Sequence, residues 1–346
     1  MKILVTGGCG FIGSNFIINQ VNNNNEIVNL DKLTYAGNLD NLSSIKNNSK
    51  YVFINGDICQ FDLVNNIIQK HKPDCIVHFA AESHVDRSID NPIQFINTNL
   101  IGTASLLNAA NNYYIKSKND NFRFIHISTD EVFGSLRSKG FFTESTPYDP
   151  SSPYSATKAG SDHLVRAWNR TYGLPAIISN CSNNYGPYQF PEKLIPLMIA
   201  NCIDEKPLPI YGNGKNIRDW LYVNDHCNAI NNIIEDGVIG ETYNIGGNNE
   251  ISNIDIVKII CEILNKIKPS KKIKSYTELI TFVSDRPGHD FRYAIDSTKI
   301  MNKLKWKPIE TFNSGIQKTV EWYINNESWW RKIQLNNYKQ QRLGIK

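Results

Sequence analysis

The sequence has no long hydrophobic run and no recognisable pairing of cysteines. No stretch approaches the roughly 18 consecutive apolar residues that a membrane-spanning helix needs, and the first residues lack the basic, apolar and small-residue order of a secretion leader. The 7 cysteines are an odd number without a Cys-x-x-Cys pair, so neither a disulfide framework nor a zinc site is expected. These absences predict a cytoplasmic protein with reduced thiols, no bound metal and no membrane partner.

A strong net charge is also missing. The 37 Lys and Arg residues nearly balance the 33 Asp and Glu residues, which leaves a formal charge of +4. Nucleic-acid-binding domains are usually far more basic, so nucleic acid is not an expected partner, whereas a small substrate with phosphate groups fits. With 346 residues, 41% of them hydrophobic, the chain can form a real core in one large α/β unit or in two domains.

A glycine-rich turn between a strand and a helix opens the chain. The β-branched run Lys2 to Thr6 is followed by Gly7 to Ser14 and then by apolar residues at helical spacing. Such glycines let the backbone approach a pyrophosphate, which the helix N-terminus stabilises. A second strand, Glu26 to Leu30, ends at Asp31, whose carboxylate would accept hydrogen bonds from the adenosine ribose and repel a 2′-phosphate. The pattern favours NAD over NADP, with Lys32 as a mild counter-argument.

Strands and helices alternate after this turn. Further strands are predicted at Tyr51 to Ile54, Cys75 to Phe79, Phe122 to Ile127 and Ala176 to Ser179, the last of which would complete the sheet, and a helix is predicted at Phe61 to Lys70. This order indicates an α/β fold with a Rossmann-like, doubly wound parallel sheet. We assign residues 1–180 to an NAD-binding domain that carries the catalytic residues, 181–330 to a smaller C-terminal substrate-binding region, and 331–346 to a basic tail.

Several strand ends are candidate cofactor contacts, because open α/β sheets bind ligands there. Asp57 and Ile58 would lie beside an adenine, although an ordinary turn aspartate explains them equally well. Ala80 and Ala81 would let a ribose approach closely. His78 stands inside an apolar strand and is better explained as a core histidine with its hydrogen bonds satisfied than as a ligand.

Two long helical patterns suggest self-association. Pro92 to Tyr114 and Ser155 to Tyr172 carry apolar residues at helical spacing, with further bulky residues on other faces. Core helices and subunit interfaces both look like this. We predict that the two helices pair across a two-fold axis and make a homodimer.

The stretch from Ser128 to Lys158 carries the strongest chemical signal. Its polar residues follow a buried strand, and Ser152 with the proline after it predicts a helix start. On that helix Tyr154 and Lys158 are four residues apart and share a face. A nearby ammonium favours the phenolate, which would make the tyrosine a base at neutral pH. Taken alone, this spacing also fits a snorkelling lysine beside a half-buried ring.

Two arginines in the C-terminal region are candidates for phosphate binding. Arg218 and Arg286 are flanked by turn residues and aromatics, and the planar guanidinium suits bidentate contact with phosphate. Each arginine also has an adjacent aspartate, so a simple ion pair is the alternative explanation.

Together these motifs resemble the nucleotide-sugar 4,6-dehydratases of the extended short-chain dehydrogenase/reductases. The resemblance runs from Met1 to about Trp330 and rests on the glycine turn, Asp31, Ala80 to Ser88, Ser128 to Gly134, Tyr154 with Lys158, Asn183 to Tyr188 and Asp285 to His289. The adjacent pair Asp130 and Glu131 is its most specific element, since related epimerases and decarboxylases share the glycine turn and the Tyr/Lys pair but lack the two acids.

The resemblance implies a catalytic role for each of five residues. Tyr154 takes the proton from the sugar's 4-hydroxyl while hydride passes to NAD, and Lys158 lowers the pKa of the tyrosine and holds the nicotinamide ribose. Thr129 hydrogen-bonds the 4-oxygen. Glu131 removes the carbon-5 proton while Asp130 protonates the departing 6-hydroxyl, and hydride returns to carbon 6. An elimination needs a base and an acid together, so the environment must push the pKa values of the two carboxyls apart.

The resemblance also implies the binding residues. Those for NAD are Gly7, Gly10, Phe11, Ile12, Gly13, Asp31, Lys32, Asp57, Ile58, Ala80, Ala81, Tyr154, Lys158 and Asn184. Those for a nucleotide-diphosphate glucose are Ser83, Thr129, Asn183, Lys193, Leu194, Pro209, Tyr211, Arg218, Asn253, Arg286 and His289. Such an enzyme would act in deoxysugar biosynthesis, for example that of rhamnose.

Three alternatives stay open at this point. The segment between Gly134 and Phe141 is shorter than in many bacterial relatives, which leaves UDP-glucose and dTDP-glucose as equal candidates. A UDP-sugar 4-epimerase or decarboxylase would use Tyr154 without the elimination. A non-catalytic NAD-binding module could keep the Rossmann fold, because fold does not imply function.

Overall fold

The computed structural model describes residues 1–285, 287–336 and 338. Its strands are β1 (Lys2–Thr6), β2 (Glu26–Asp31), β3 (Tyr51–Asn55), β4 (Cys75–His78), β5 (Arg123–Thr129), β6 (Ala176–Cys181), β7 (Asn183–Tyr185), β8 (Leu208–Tyr211), β9 (Ile217–Tyr222), β10 (Thr242–Ile245), β11 (Glu250–Ser252) and β12 (Ile280–Val283). Its α-helices are α1 (Phe11–Asn22), α2 (Phe61–His71), α3 (Val85–Asp90), α4 (Pro92–Phe95), α5 (Thr103–Ser117), α6 (Pro153–Tyr172), α7 (Leu194–Ile203), α8 (Val223–Asp236), α9 (Asn253–Ile267), α10 (Thr298–Leu304), α11 (Phe312–Asn325) and α12 (Glu327–Asn336).

A parallel sheet forms the centre of the molecule. Within the described part of the chain it has seven strands in the order β10-β6-β5-β4-β1-β2-β3. The order reverses beside β1, which is the arrangement of doubly wound dinucleotide-binding folds, and ligands bind outside the strand ends at such a reversal. The predicted α/β, Rossmann-like fold is confirmed.

The strand predicted to complete the sheet does not lie at its edge. Thr242 to Ile245 of β10 pair in parallel with Ile178 to Cys181 of β6, so a segment from the C-terminal region closes this side of the sheet. The sequence pattern hid this strand because it is only four residues long. The division of the chain into two domains near residue 180 stays a prediction. Strand β10 comes after this boundary in the sequence but belongs to the central sheet.

Helices cover both faces of the central sheet. On one face, Phe16 and Ile17 of α1 and Ile230 and Ile233 of α8 are fully buried against the strands. On the other face, α2, α5 and α6 contribute the buried side chains, among them Leu106. Each fully buried aliphatic side chain contributes about 1.5–3 kcal/mol, so the sheet is a firm base for loops at its edge.

The C-terminal region has a hydrophobic core of its own. Ile199 of α7, Ile256 and Ile260 of α9 and Ile316 of α11 are fully buried together, beside a small sheet in the order β11-β9-β7. This second core places β8, β9 and the start of α7 opposite the ends of the central strands.

The helix predicted for Pro92 to Tyr114 is built from three consecutive segments. A π-helical stretch, Ile96–Gly102, lies between α4 and α5. The wider turn directs the buried Asn99 side chain inward, where Oδ1 accepts a 2.9 Å hydrogen bond from the Glu82 N–H and Nδ2 donates to the Thr157 hydroxyl at 2.9 Å. Such insertions are frequent near functional sites.

The C-terminal helix α12 crosses back to the first part of the chain. Trp329 Nε1 donates a 2.8 Å hydrogen bond to Asn41 Oδ1, and Lys332 Nζ lies 2.5 Å from Asp40 Oδ2. Part of the predicted basic tail, residues 337 and 339–346, lies outside the described residues. Among the described residues no helix is long and apolar enough to cross a membrane. All seven cysteines are described, and none is in a disulfide.

Candidate active site

Two clefts meet at the carboxyl ends of the central strands. The strand-end cleft is lined by the segments that follow β1 to β6, and the adjoining cleft lies between them and α3, α7, β8 and β9. Residues that line both clefts are Glu131, Asn183, Asn184, Gln189, Glu192 and Lys193. A ligand with two halves can therefore bind continuously across them.

The glycine turn is built for a close backbone approach. Gly7 has φ of 73°, and a Cβ there would lie 2.5 Å from the Ala80 nitrogen. A Cβ on Gly13 would lie 2.5 Å from the Gly7 carbonyl oxygen. These contacts bring β1, the end of β4 and the first turn of α1 together. No acidic residue lies in that first turn, so its free N–H groups favour an anion such as a diphosphate.

Asp31 joins this turn to the end of β2. Its Oδ2 accepts a 2.8 Å hydrogen bond from the Cys9 N–H and its Oδ1 accepts one of 2.8 Å from the Leu33 N–H. Burial raises the pKa of the carboxyl, while these two hydrogen bonds oppose the rise. The neighbouring Lys32 Nζ lies 2.7 Å from Asp57 Oδ2, so its charge is directed toward a carboxylate. The geometry fits recognition of a ribose with free hydroxyls.

A turn of 3₁₀ helix, Asp130–Phe133, presents the acid pair. The Thr129 hydroxyl accepts a 3.3 Å hydrogen bond from the Glu131 N–H and so caps the turn. Asp130 is 1% exposed, whereas Glu131 is partly exposed and lines both clefts. The two neighbouring carboxyls therefore have different surroundings.

The pKa of Asp130 is raised well above its usual value. Burial is the largest cause, followed by the negative charge of Glu131, and the Arg218 guanidinium acts in the opposite direction. Asp130 Oδ2 has no hydrogen-bond partner within the described residues. A buried carboxyl that keeps its proton can donate it, so Asp130 is suited to act as an acid.

Tyr154 and Lys158 face the strand-end cleft from the first turns of α6. Ser152 caps this helix through reciprocal hydrogen bonds with Ser155, and Pro153 occupies its first turn, as predicted. The Lys158 ammonium donates a 2.8 Å hydrogen bond to the Ile127 carbonyl at the end of β5. The helix is thus held against the strand that carries the acid pair.

The expected lowering of the Tyr154 pKa by Lys158 is not found in this structure. Burial raises the pKa of Tyr154 well above its usual value, the negative charge of Glu131 adds to this, and a hydrogen bond with Thr129 opposes it. Burial also lowers the pKa of Lys158. The physical reason is desolvation, which disfavours the charged form of both buried groups.

The adjoining cleft combines polar and aromatic groups. Lys193, which lines both clefts, donates a 3.2 Å hydrogen bond from Nζ to the Ser83 carbonyl. The Tyr211 hydroxyl donates a 3.3 Å hydrogen bond to Asp86, and the Tyr211 ring lies edge-on to His289 at 6.3 Å. Such a surface suits a nucleobase and its sugar, which need stacking and hydrogen bonds.

Arg218 is fixed at the wall between Asp130 and the adjoining cleft. Its guanidinium lies 4.2 Å from the centre of the Tyr293 ring and donates a 3.0 Å hydrogen bond to the Asp290 carbonyl. The adjacent Asp219 accepts hydrogen bonds from the N–H groups of Gly247 and Asn249. Arg218 is therefore a pre-oriented cation beside the cleft.

The structure brings the predicted site residues together. All predicted cofactor residues and the five predicted catalytic residues line the strand-end cleft, as does Ser83. The predicted substrate residues Leu194, Pro209, Tyr211, Arg218, Asn253 and His289 line the adjoining cleft. Arg286 lies outside the described residues. The individual roles stay predictions, and His78 is a core residue, hydrogen-bonded to Thr6 and Thr103.

Sequence reasoning missed several lining residues. Glu192 is buried at the border of the clefts, and its Oε2 accepts a 2.9 Å hydrogen bond from Arg87, whose guanidinium lies 3.7 Å from the centre of the Tyr35 ring. Tyr293 and Tyr338 line the adjoining cleft. Proximity to the recognised motifs could have indicated Arg87 and Glu192, but nothing in the local pattern indicated Tyr338.

Comparison with known proteins assigns the family. A model of the family described as GDP-mannose 4,6 dehydratase matches residues 4–319. The chain belongs to this family. Among similar proteins, a dTDP-glucose 4,6-dehydratase of Escherichia coli is 56% identical over 100% of this chain and 99% of its own length. The enzyme of that name from Neisseria meningitidis serogroup B is 55% identical over 99% of each chain.

Solved structures agree with this assignment. The dTDP-glucose 4,6-dehydratase of Bacillus anthracis in complex with NAD is 46% identical, with a TM-score of 0.85 over 96% of this chain and 99% of that chain. The Streptomyces venezuelae enzyme of the same name, with NAD bound, is 43% identical, with a TM-score of 0.88 over 96% and 100%. The UDP-glucose 4-epimerase of Thermotoga maritima is more distant at 27% identity, with a TM-score of 0.83 over 94% and 100%. The predicted membership of the nucleotide-sugar dehydratases is confirmed.

Proposed function

We propose that the protein is an NAD-dependent hydro-lyase that converts dTDP-glucose to its 4-keto-6-deoxy sugar. The observation that carries this proposal is the placement of Asp130 and Glu131 at the end of β5, in the same cleft as Tyr154. Two carboxyls in different surroundings can supply the acid and the base that an elimination needs. An oxidation at carbon 4 alone would not need this second acid and base. Relatives over 50% identical that are named dTDP-glucose 4,6-dehydratase support the same reaction.

The strand-end cleft fits NAD. The glycine turn gives the diphosphate access to the α1 N-terminus, and Asp31 accepts hydrogen bonds beside it. Lys158, which lines the same cleft, has donors left for a ribose after its bond to Ile127. Bound there, NAD would supply the acceptor for the hydride of carbon 4 and the donor for its return to carbon 6.

The residues of α6 and β5 serve the oxidation at carbon 4. Tyr154 accepts the proton of the 4-hydroxyl, and Thr129 holds the same oxygen by a hydrogen bond. The hydrogen bond between Thr129 and Tyr154 supports this shared role, because both side chains can contact one oxygen. The Lys158 ammonium stabilises the negative charge that Tyr154 carries before it accepts this proton.

The acid pair serves the elimination. The ketone at carbon 4 acidifies the proton at carbon 5, and Glu131, which lines both clefts, removes it. Asp130 donates a proton to the leaving 6-hydroxyl, and its raised pKa supports this assignment. Glu131 becomes neutral as it takes up the carbon-5 proton, and Asp130 becomes charged as it gives up its own. The pair therefore carries one negative charge before and after the elimination.

The nucleotide half occupies the adjoining cleft. Arg218 and Lys193 contribute positive charge for the diphosphate, while Tyr211, His289 and Asn253 surround the base. A methyl group separates thymine from uracil and is worth only about 1–3 kcal/mol in such a pocket. We place dTDP-glucose first because of the named relatives, and a kinetic comparison with UDP-glucose and GDP-mannose measures the preference.

An isotope experiment tests the reaction. With dTDP-glucose deuterated at carbon 4, the product should carry deuterium at carbon 6, since the hydride stays in the site. Recovery of the label at carbon 4 would indicate an epimerase cycle and would falsify the dehydratase assignment. Absence of turnover with any nucleotide-sugar, despite NAD binding, would instead favour a non-catalytic module.

We also propose that the protein is a cytoplasmic homodimer. The helical stretch from α4 to α5 exposes Ile93, Ile96 and Ile101, at 62%, 38% and 53% of their surfaces. Three large aliphatic side chains along one helical stretch suit burial against a second copy. The free cysteines suit a reducing compartment.

A further inference from the structure

A buried carboxylate lies one helical turn beyond Lys158, outside the catalytic set described above. Asp162 is fully buried on α6, and its Oδ2 accepts hydrogen bonds of 2.9 Å from both the Ser128 hydroxyl and the Tyr148 hydroxyl. Its Oδ1 lies 3.2 Å from His126 Nε2. Burial of a charged carboxylate costs free energy, and the hydrogen bonds to Asp162 offset part of this cost. Asp162 is therefore a candidate for a role in the site.

The same carboxylate reaches the strand that carries the acid pair. Asn180 Nδ2 on β6 donates to Asp162 Oδ2 at 3.3 Å and to the Thr129 carbonyl at 3.0 Å. Ser128, the residue before Thr129, donates to the same Oδ2 atom. Asp162 is thus tied directly to one neighbour of Thr129 and, through Asn180, to the Thr129 backbone.

Lys158 lines the strand-end cleft and lies one helical turn before Asp162 on the same face of α6. The Lys158 ammonium is anchored to the Ile127 carbonyl, next to Ser128, so both side chains are bound to adjacent residues of β5. Burial acts to raise the pKa of Asp162, but the nearby His126, the Lys158 charge and the Ser128 hydrogen bond hold it below its usual value. Burial lowers the pKa of Lys158, and Asp162 is the first group that opposes this.

We propose that Asp162 is a positioning residue for both half-reactions: its carboxylate is the counter-charge of the Lys158 ammonium, and its hydrogen bonds hold the Ser128–Thr129 end of β5. The inference rests on the proposed function, because it concerns the same site. Removal of the charge should let Lys158 lose its proton at lower pH, and with it a donor for NAD.

Other groups near this pair do not titrate in the relevant range. The titratable groups of the described residues that act on Lys158 or Asp162 are His78 on β4, His126 on β5, Tyr148 before α6, whose hydroxyl also binds Arg166, and Cys181 on β6. Tyr154 lies one turn before Lys158 on α6, and burial raises its pKa well above its usual value. Burial lowers the pKa of His126 to about 4 and that of His78 well below its usual value. Burial raises the pKa of Cys181 to about 12. Loss of NAD between neutral and moderately alkaline pH therefore reports on Lys158.

The test is the retention of NAD by the purified holoenzyme in gel filtration at a series of pH values. In Asp162→Asn, which keeps the shape of the side chain, NAD should be lost at least about one pH unit below the pH at which the wild type loses it. Tyr148→Phe is the matched control, because it removes one hydrogen bond to Asp162 and leaves the charge, so its profile should follow the wild type.

A double variant shows whether Asp162 acts through Lys158. In a Lys158→Met background, Asp162→Asn should no longer change the pH dependence of NAD retention. If folded Asp162→Asn loses NAD at the same pH as the wild type, the role of Asp162 is overturned and the proposed function is not affected. If the wild type holds no NAD, both the role of Asp162 and the proposed function are overturned. If Asp162→Asn does not fold, the double variant should fold, since it removes both charges; a double variant that is equally unfolded contradicts the pairing.

Discussion

The Lys158 ammonium on α6 donates a 2.8 Å hydrogen bond to the Ile127 carbonyl on β5. The helix that carries Tyr154 and the strand that leads to Asp130 and Glu131 are thereby joined at the point where both enter the cleft. A shift of either element would move the tyrosine relative to the acid pair. Since reacting groups must be placed within fractions of an ångström, this contact matters for both half-reactions.

Glu131→Gln should separate the oxidation from the elimination. Glutamine keeps the shape and polarity of the side chain but cannot accept the carbon-5 proton, so overall turnover should fall by about 10² to 10⁴. The near-ultraviolet absorbance of reduced nicotinamide should build up, together with a 4-keto sugar that keeps its 6-hydroxyl. Rapid-mixing absorbance and mass spectrometry of the quenched sugar measure both.

Tyr154→Phe is the counterpart of that variant. It removes the base of the first step, so no reduced nicotinamide should form. Equal accumulation in the two variants would mean that Tyr154 and the acid pair do not divide the reaction as proposed.

Asp130 should hold its proton near neutral pH. Its pKa is raised by burial and by the charge of Glu131, so the protonated form persists to higher pH than in an exposed aspartate. Donation to the leaving hydroxyl should then be lost as the pH rises through this raised pKa. Infrared difference spectra should show a protonated-carboxyl band that is absent in Asp130→Asn. In Glu131→Gln, which removes the repelling charge, the band should disappear at lower pH than in the wild type.

Asp31 should set the choice between NAD and NADP. Asp31→Ala removes a charged acceptor worth about 1.5–3 kcal/mol, so NAD affinity should fall roughly 10- to 100-fold and NADP affinity less. Titration calorimetry of both cofactors gives the ratio. Lys32→Ala should move the ratio in the opposite direction, because it removes a positive charge beside the same ribose. A wild type that prefers NADP would contradict the assignment.

The exposed isoleucines of the α4–α5 stretch should lie in the dimer interface. Ile101, which is 53% exposed in the single chain, would be buried in the proposed interface. Ile101→Glu would bury an unpaired charge there, so sedimentation at micromolar concentration should show monomers. Ile309→Glu is the control, since Ile309 is 76% exposed and lies outside the helical stretch. A variant Ile101→Glu that sediments as the wild type does would remove this surface from consideration.

Local signals predicted much of the site. The glycine turn, the Ser152 cap and the strand predicted at Phe122 to Ile127 each depend on neighbouring residues. The structure has the turn and the cap as expected, and the strand is present at Arg123–Thr129. The acid pair and the Tyr154–Lys158 spacing could be placed because each lies at the end of a predicted element. The residue roles came from the family resemblance and not from the spacing.

Long-range contacts escaped the sequence. Glu192 reaches Arg87, 105 positions away, and Tyr338 returns to the cleft from the predicted tail. The burial that governs the pKa values of Tyr154 and Lys158 comes from elements distant in the chain, so helical spacing alone could not predict how burial shifts them. A four-residue strand such as β10 carries too little pattern to be recognised.

The pairing of β6 with β10 also bears on how the chain is made. Residues 182–241 separate the two strands, so at roughly 5–20 residues per second the ribosome needs about 3 to 12 s to deliver the partner of β6. During that time β6 is an edge strand with unpaired N–H and carbonyl groups, which can join another nascent chain. Ribosome-bound chains that end near residue 230, where β6 has left the exit tunnel and β10 is not yet made, should therefore associate with one another more readily than chains that end near residue 290, where β10 has also left the tunnel.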